Sequence, residues 1–348
     1  MPTQSLRRGQ PRRRWNAAAL AVLATLLAAA TLTPGAVAAG RSKQNGADNV
    51  VPPKQGTWVG TYQDMSGSQA AKQNRVANVE SLLGHTGDLD HIYEAWNSTF
   101  PGWREAWDHL NGRVPFVSWA PASTAAVNSG RYDGLIKQRA ADVKAAGYPM
   151  LLEWFWEMDG NRNRHIAGSP ASFIAAWKRI HGIFDRAGVT NVSWVWCPNA
   201  WGFATGAAQK FYPGDAYVDW ICANGYNWAP GRRGDEWRSF EWTFQPFYDW
   251  GSARGKPLMV GEFGAQERKP GEKAQWLRDA ATTLKTKFTD IKAVAYFDVK
   301  KRYNWRLDTS ASAESAFRAF ARTLQPGPAP PAGKGASSGG GAGQPPPG

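Results

Sequence analysis

The segment Leu151-Leu-Glu-Trp-Phe-Trp-Glu-Met-Asp-Gly160 joins an apolar run to a carboxylate, with a glycine shortly after it. A second segment, Pro257-Leu-Met-Val-Gly-Glu-Phe-Gly264, repeats that order. Apolar runs of this length are typical of strands buried in a parallel sheet, and the glycine marks the turn that follows. Glu157 and Glu262 therefore each close a predicted strand.

Similar apolar runs recur along the chain and alternate with longer amphipathic stretches, which predict helices. Gly147 is a helix-ending signal, and Ser169-Pro170 is a helix-starting one. No glycine-rich dinucleotide fingerprint follows the first strand, so a single catalytic (β/α)₈ TIM barrel of class α/β is favoured over an open sheet. The predicted strands are Thr57–Tyr62, Leu89–Glu94, Val114–Trp119, Tyr148–Glu157, Asn191–Cys197, Val218–Tyr226, Pro257–Glu262 and Ile291–Phe297, and the predicted helices are Tyr132–Ala146, Pro170–Arg186, Glu272–Lys285 and Ala313–Thr323.

The two ends of the chain predict segments outside the barrel. Residues 1–39 hold five arginines, an apolar run and small residues, in the order of a secretory signal peptide. That apolar run has about 14 residues, short of the ~20 that a spanning helix needs, so we expect cleavage, no stable membrane span and an extracellular protein. The export route, general secretory or twin-arginine, stays open. Residues 40–50 predict a linker, 51–324 the barrel, and 325–348 a disordered tail rich in proline and glycine.

Composition narrows the classes of partner. The formal net charge is +13, and five of those charges lie in the leader, which leaves about +8. The basic residues are scattered without interleaved aromatics, so no nucleic-acid partner is expected. The five histidines lack neighbours at metal-ligand spacing, and no cofactor is predicted. Nineteen tryptophans are typical of a carbohydrate cleft, because indole faces stack on sugar rings. We expect a monomer whose partner is a polysaccharide or oligosaccharide.

The only two cysteines are Cys197, at the end of the predicted fifth strand, and Cys222, within the sixth. Consecutive barrel strands are neighbours, and an exported protein with two cysteines is a candidate for a disulfide. A buried pair of free thiols is the alternative.

The two strand-end glutamates suit the cleavage of a glycosidic bond. In barrels of this kind the active site lies at the carboxyl ends of the strands, and strands four and seven face each other across the mouth. A protonated carboxyl group there gives its proton to the leaving oxygen, while an ionised one attacks the anomeric carbon. The alternative for either glutamate is a buried carboxylate neutralised by arginine or lysine.

A specific resemblance adds to this. The segment Glu157-Met-Asp-Gly160 resembles the acid/base motif of glycoside hydrolase family 26, which usually reads His-Glu-Met-Asn-Gly. Four further segments resemble that family in the correct order, and the likeness runs from about Tyr148 to Arg306. These segments are 191–199, 211–220, 256–264 and 304–306.

The family likeness implies a (β/α)₈ barrel and a retaining mechanism on β-mannans, mixed-linkage β-glucans or β-1,3-xylans. It assigns Glu157 as acid/base, Glu262 as nucleophile and Tyr226 as the residue that orients the nucleophile. Departures occur around these residues and leave the sugar open. Trp156 stands for the usual His, Glu153 for Arg, Asn224 for Asp and Tyr296 for Trp.

Several side chains near the strand ends have two interpretations. Glu153 shares strand parity with Glu157, so it forms a salt bridge inside the barrel or raises the pKa of Glu157. Asp298, just after strand eight, binds a sugar hydroxyl or caps a loop. The aromatic candidates for substrate binding are Trp156, Trp201, Trp228, Tyr226 and Tyr296.

The function favoured by these patterns is a secreted, retaining endo-β-glycanase for the β-mannan or mixed-linkage β-glucan class, acting by double displacement. One alternative is a glycosidase of the same mechanism on another bacterial exopolysaccharide. The other is a barrel that binds carbohydrate without cleaving it.

Overall fold

Eight parallel strands close into a barrel in the computed structural model, which describes residues 49–64, 66–231 and 234–325. Each strand pairs with the next along the chain, and the last pairs with the first. The predicted fold class is therefore confirmed. The strands are β1 Trp58–Gln63, β2 Leu89–Glu94, β3 Val114–Trp119, β4 Met150–Trp154, β5 Val192–Trp196, β6 Trp220–Asn227, β7 Leu258–Ala265 and β8 Ile291–Asp298.

Helices occupy the connections between strands. The four predicted helices are present, and each of their ends lies within two residues of the expected position. Gly147 ends one of them in the left-handed conformation, and the Ser169 side chain caps another that starts at Pro170. The helices are α1 Gln69–Leu83, α2 Trp103–Leu110, α3 Thr124–Asn128, α4 Asp133–Ala146, α5 Arg164–Ala167, α6 Pro170–Arg186, α7 Ala200–Thr205, α8 Phe240–Ser252, α9 Glu272–Thr286 and α10 Ala311–Leu324.

Two apolar layers flank the strands. On β4, Leu152 and Trp154 pack outward against the helices, whereas Leu151 belongs to the cluster inside the barrel. This alternation sends Glu153 into the interior, where it is 1% exposed. Of the described helices, none is long and apolar enough to cross a membrane.

The ends of the barrel domain differ partly from expectation. The predicted signal peptide, most of the predicted linker and the tail from residue 326 lie outside the described residues. Val50, placed in the predicted linker, is 3% exposed, and its N–H donates to Ser193 Oγ at 2.9 Å. Packed apolar structure therefore starts one residue before the predicted boundary at 51.

The strands that carry the two glutamates end differently. The fourth strand, expected to run to Glu157, ends at Trp154. The chain then turns sharply, with positive φ of 64° at Phe155 and 52° at Glu157. The seventh strand instead continues past Glu262 to Ala265. Glu157 is thus presented by a turn and Glu262 by a strand.

Candidate active site

Three donors hold the carboxylate of Glu262, which is 6% exposed. Tyr226 donates its hydroxyl hydrogen to one oxygen, and Tyr93 donates to the other. Asn224 Nδ2 also donates to the oxygen that Tyr93 binds, at 3.1 Å. Hydrogen bonds to the ionised form stabilise it, so these donors fix the carboxylate in place as an anion.

Glu157 is positioned through its backbone and its neighbours. Its N–H donates to the Cys197 carbonyl at 2.9 Å, which ties the turn after β4 to the end of β5. Asp159, two residues on, accepts from both the backbone and the side-chain nitrogen of Asn199, each at 3.0 Å. The loops after two neighbouring strands therefore hold the Glu157 turn together.

Asn224 links the two glutamates. It lies opposite Glu262 in the β6–β7 register, next to a register shift between Ala223 and Asn224. Its side-chain nitrogen donates to Glu262 at 3.1 Å, and its amide also lies near enough to Glu157 to lower the pKa of that carboxyl group. Both carboxyl groups are consequently within reach of one amide, and they face the same space.

The surroundings separate the proton affinities of the pair. Burial raises the pKa of Glu157 to about 8, and the charges of Glu262 and Asp159 add to the rise. Burial also raises the pKa of Glu262, but the Tyr226 and Tyr93 hydrogen bonds and the charge of Lys301 oppose that rise. Burial thus favours the protonated form of Glu157, whereas the Tyr226 and Tyr93 hydrogen bonds favour the ionised form of Glu262.

The pair lies in a cleft of about 1920 Å³ at the carboxyl ends of the strands. Such a volume exceeds the ~300–1,000 Å³ of sites for small ligands, which fits a chain of several sugar units. Ten aromatic side chains line it. They are Tyr62, Tyr93, Trp156, Trp201, Tyr226, Trp228, Trp242, Phe297, Tyr303 and Trp305.

Three of the expected tryptophans are among the lining residues. Trp156 meets Tyr93 edge-on at 4.9 Å between ring centroids, and Trp228 packs beside Tyr226 at 5.1 Å. Trp201 is 63% exposed. Their contact with a sugar remains a prediction.

The expectation for Tyr296 is wrong. This residue is 0% exposed, and it packs against Phe263 and Phe317 on the helix side of the barrel wall. Its hydroxyl donates to the Trp305 carbonyl at 2.8 Å. Alternation along β8 turns its neighbour Phe297 to the cleft instead.

Of the two roles considered for Asp298, binding a sugar hydroxyl or capping a loop, the structure supports the second. Its carboxylate accepts from the Leu307 N–H at 2.7 Å and from Gln63 Nε2 at 3.1 Å. It caps the loop after β8 and does not line the cleft.

Glu153 fits neither of its expected roles. Within the described residues it forms no salt bridge; it accepts a hydrogen bond from Ser118, whose hydroxyl lies 2.7 Å from His91 Nε2. Burial raises the pKa of Glu153 well above its usual range and lowers that of His91 to about 3. Burial therefore favours the neutral form of both groups, which argues against Glu153 as a negative charge that tunes Glu157.

The cysteines lie behind the catalytic pair. A disulfide joins Cys197 to Cys222 across β5 and β6, and both residues are 0% exposed. A Cβ atom at Gly261, beside Glu262, would lie 2.7 Å from the Cys222 sulfur and 3.0 Å from that of Cys197. Within the described part of the chain, no cluster of three metal-binding side chains occurs.

Two residues that line the cleft have weak sequence signals. Tyr93 is the last residue but one of β2, and a tyrosine near a strand end is more often a core residue. Its contact with Glu262 depends on barrel closure across 169 positions of sequence. Trp242 lies in the first turn of α8, and its part in the cleft depends on the packing of α7 against α8.

A closed (β/α)₈ barrel with two glutamates that face one cleft, one just after β4 and one on β7, is an arrangement suited to the hydrolysis of a glycosidic bond. The family model of glycosyl hydrolase family 26 matches residues 134–240. This match supports the resemblance to glycoside hydrolase family 26 that the sequence indicates.

Two curated relatives are similar to this chain in sequence, and two solved structures are similar to it in fold. Endoglucanase H of Acetivibrio thermocellus is 30% identical over 277 residues, which cover 76% of this chain and 30% of that protein. Beta-1,3-xylanase TXYA of a Vibrio species is 25% identical over 70% of this chain and 51% of its own length. The chain thus spans about half or less of these relatives.

The solved structures resemble the fold. GH26C from Muricauda sp. MAR_2010_75 superposes with a TM-score of 0.58 at 14% identity, covering 77% of this chain and 86% of that one. The GH26 beta-mannanase of Bacteroides ovatus gives a TM-score of 0.57 at 14% identity, covering 77% and 89%.

Proposed function

We propose that this protein is an endo-β-glycanase that cleaves a β-linked polysaccharide by double displacement with retention. The observation that carries the proposal is the pair Glu157 and Glu262, which share one cleft and one amide contact but differ in proton affinity. A neutral acid beside an ionised carboxylate is what the first step of such a reaction needs.

In the first step, a Glu262 oxygen bonds to the anomeric carbon while the bond from that carbon to the leaving oxygen breaks. Glu157 gives its proton to the leaving oxygen as that bond breaks. In the second step, ionised Glu157 takes a proton from water, whose oxygen attacks the anomeric carbon and releases Glu262. Tyr93, Tyr226 and Asn224 keep Glu262 in place throughout.

The proposed substrate class is β-mannan or mixed-linkage β-glucan. Relatives named as an endoglucanase and a beta-1,3-xylanase, and a structural neighbour named as a beta-mannanase, support a β-linked glycan. The leader-like residues 1–39 support the further proposal that the protein acts outside the cell.

Release of reducing sugar from barley β-glucan, glucomannan and β-1,3-xylan tests the activity. Glu262→Ala removes the nucleophile, so turnover should fall by orders of magnitude on every substrate. Glu157→Ala should lose ~10²–10⁴-fold on polysaccharide but much less on aryl glycosides whose leaving group needs no proton. Azide should then restore the second step and yield a β-glycosyl azide.

Glu272→Ala serves as the matched control, because this glutamate lies on α9 outside the cleft and pairs with Arg268. Near-normal turnover by Glu262→Ala, or a first product of inverted configuration, would refute the assignment. Binding of these polysaccharides without any cleavage would instead indicate a carbohydrate-binding barrel.

A further inference from the structure

Two tryptophans expose large apolar faces inside the cleft. Trp201 is 63% exposed and Trp242 is 45% exposed. Their ring centroids are 6.0 Å apart, with an angle of 22° between the planes. A contiguous exposed apolar surface costs solvation free energy and typically marks a binding site.

The Trp242 ring is held before any ligand arrives, and the Trp201 ring packs against it. Trp201 and Trp242 lie in the first turns of α7 and α8, and the Ser239 side chain caps α8 by accepting from the Trp242 N–H at 3.0 Å. The Arg238 guanidinium carbon lies 3.8 Å from the Trp242 ring centroid, and Arg238 pairs with Glu236 at 2.5 Å. A ligand therefore meets a preformed surface, which lowers the entropy cost of binding.

The pair lies on the Glu157 side of the cleft. Gly202, next to Trp201, packs so tightly on Asp159 that an added Cβ would lie 1.8 Å from its carboxylate. Asp159 in turn belongs to the turn that presents Glu157. The sugar that departs during cleavage lies beside the proton donor, because the donor must reach the glycosidic oxygen.

We propose that Trp201 and Trp242 form a distal subsite that binds a pyranose ring of the departing part of the polysaccharide. This inference rests on the proposed function and extends it to how the chain is held. Indole faces take the apolar C–H face of a β-linked pyranose and leave its hydroxyls free to hydrogen-bond. The subsite favours long chains, because a short substrate does not reach it.

The test compares substrates with and without a departing sugar. For Trp201→Ala and Trp242→Ala, kcat/KM on barley β-glucan and glucomannan should fall about tenfold, the value of one aromatic stacking contact. The kcat/KM for 4-nitrophenyl β-cellobioside, whose departing group carries no sugar, should fall much less than that for the polysaccharides. Trp201→Phe should keep part of the activity on polysaccharide.

Trp103→Ala is the matched control, since Trp103 is 38% exposed and lies outside the cleft. Equal losses on polysaccharide and aryl glycoside, or no loss on polysaccharide, would overturn the subsite.

If the wild-type protein is inactive on all of these substrates, the proposed function is refuted. The subsite is then tested by binding instead of by activity. In native gels containing barley β-glucan or glucomannan, retardation of the wild type that the double variant loses would support the subsite. Equal mobility of the two proteins would overturn it.

Discussion

The Tyr93 hydroxyl is one of three donors to Glu262, and its removal has a predictable effect on pH dependence. Because the bond stabilises ionised Glu262, Tyr93→Phe raises the pKa of that carboxyl group. The reaction needs Glu262 ionised, so activity should be lost at a higher pH on the acidic side. The alkaline side, set by Glu157 with a pKa of about 8, should move less.

The measurement is the pH profile of kcat/KM on barley β-glucan, whose leaving group needs the Glu157 proton, so that both limbs of the profile are visible. Tyr248→Phe is the control, because the Tyr248 hydroxyl bonds Asp290 at 3.3 Å on the outside of the barrel. An acidic limb that stays in place in Tyr93→Phe would show that this hydrogen bond does not tune the nucleophile.

At the scale of single residues, the sequence predicts the position of side chains that directly follow an apolar run. Glu157 and Glu262 each follow an apolar run, so their place at the mouth is readable. The assignment of Tyr296 to the cleft follows from the family resemblance and is wrong, because side chains alternate along β8 and Phe297 is the residue that faces the cleft. The partners of Glu262 come from other strands, and local pattern carries no information about them.

At the scale of the element, β7 depends on a glycine beside the nucleophile. A Cβ atom at Gly261 would lie 2.8 Å from Asn224 Oδ1 and 2.7 Å from Cys222 Sγ. We expect Gly261→Ala to displace Asn224 and Glu262, to cost about 1–3 kcal/mol of the free energy of unfolding, and to reduce kcat.

Urea denaturation and steady-state kinetics measure the two effects. Gly134→Ala is a matched control within α4, where an added Cβ meets nothing within 4 Å, and it should be neutral or stabilising. Wild-type stability and kcat in Gly261→Ala would mean that β7 shifts without cost.

Element boundaries divide into two kinds. The helix ends at Gly147 and Ser169 were predictable because capping is local chemistry. The end of β4 was not, because the positive φ at Glu157 accompanies a hydrogen bond to Cys197 on another strand. The sequence pattern contains no glycine there to announce a turn.

At the scale of the whole molecule, the Cys197–Cys222 bond is expected to stabilise the fold. It links residues 25 positions apart, and closing a loop of that size is worth about 3 kcal/mol by restricting the unfolded chain. The double variant Cys197→Ala/Cys222→Ala should therefore have a melting temperature lower by several degrees.

Intact mass without reductant should show the loss of two hydrogens relative to the reduced chain. Two thiols that alkylate in the unreduced, denatured protein would show that the pair is free. An unchanged melting temperature in the double variant would remove the stabilising role.

The closed barrel itself was predictable because eight apolar runs alternate with helices, and that count leaves few other architectures. The place of Trp242 in the cleft was not predictable, because it arises from the packing of α7 against α8. Substrate identity depends on such contacts between distant segments, so it is the property of the chain that the sequence predicts least well.

The buried Glu153 is expected to make the stability of the fold depend on pH. This carboxyl group keeps its proton in the barrel and loses it in the unfolded chain above its ordinary pKa of 4.5. Because the folded-state pKa is the higher one, its contribution to stability is complete below about pH 4.5 and declines as pH rises. The buried His91 has the opposite effect, because its pKa is lower in the fold: its contribution to stability rises with pH, but only up to about pH 6.5.

Above pH 6.5, a proton that Glu153 retains in the fold lowers the free energy of unfolding by about 1.4 kcal/mol for each pH unit. Glu153→Gln, which keeps the shape without the proton, should lose less stability than the wild type between pH 7 and 9 in urea denaturation. Parallel curves would mean that Glu153 ionises inside the fold. If the stability curves of the wild type and Glu153→Gln diverge as pH rises, the folded barrel is more stable in mildly acidic surroundings than in alkaline ones.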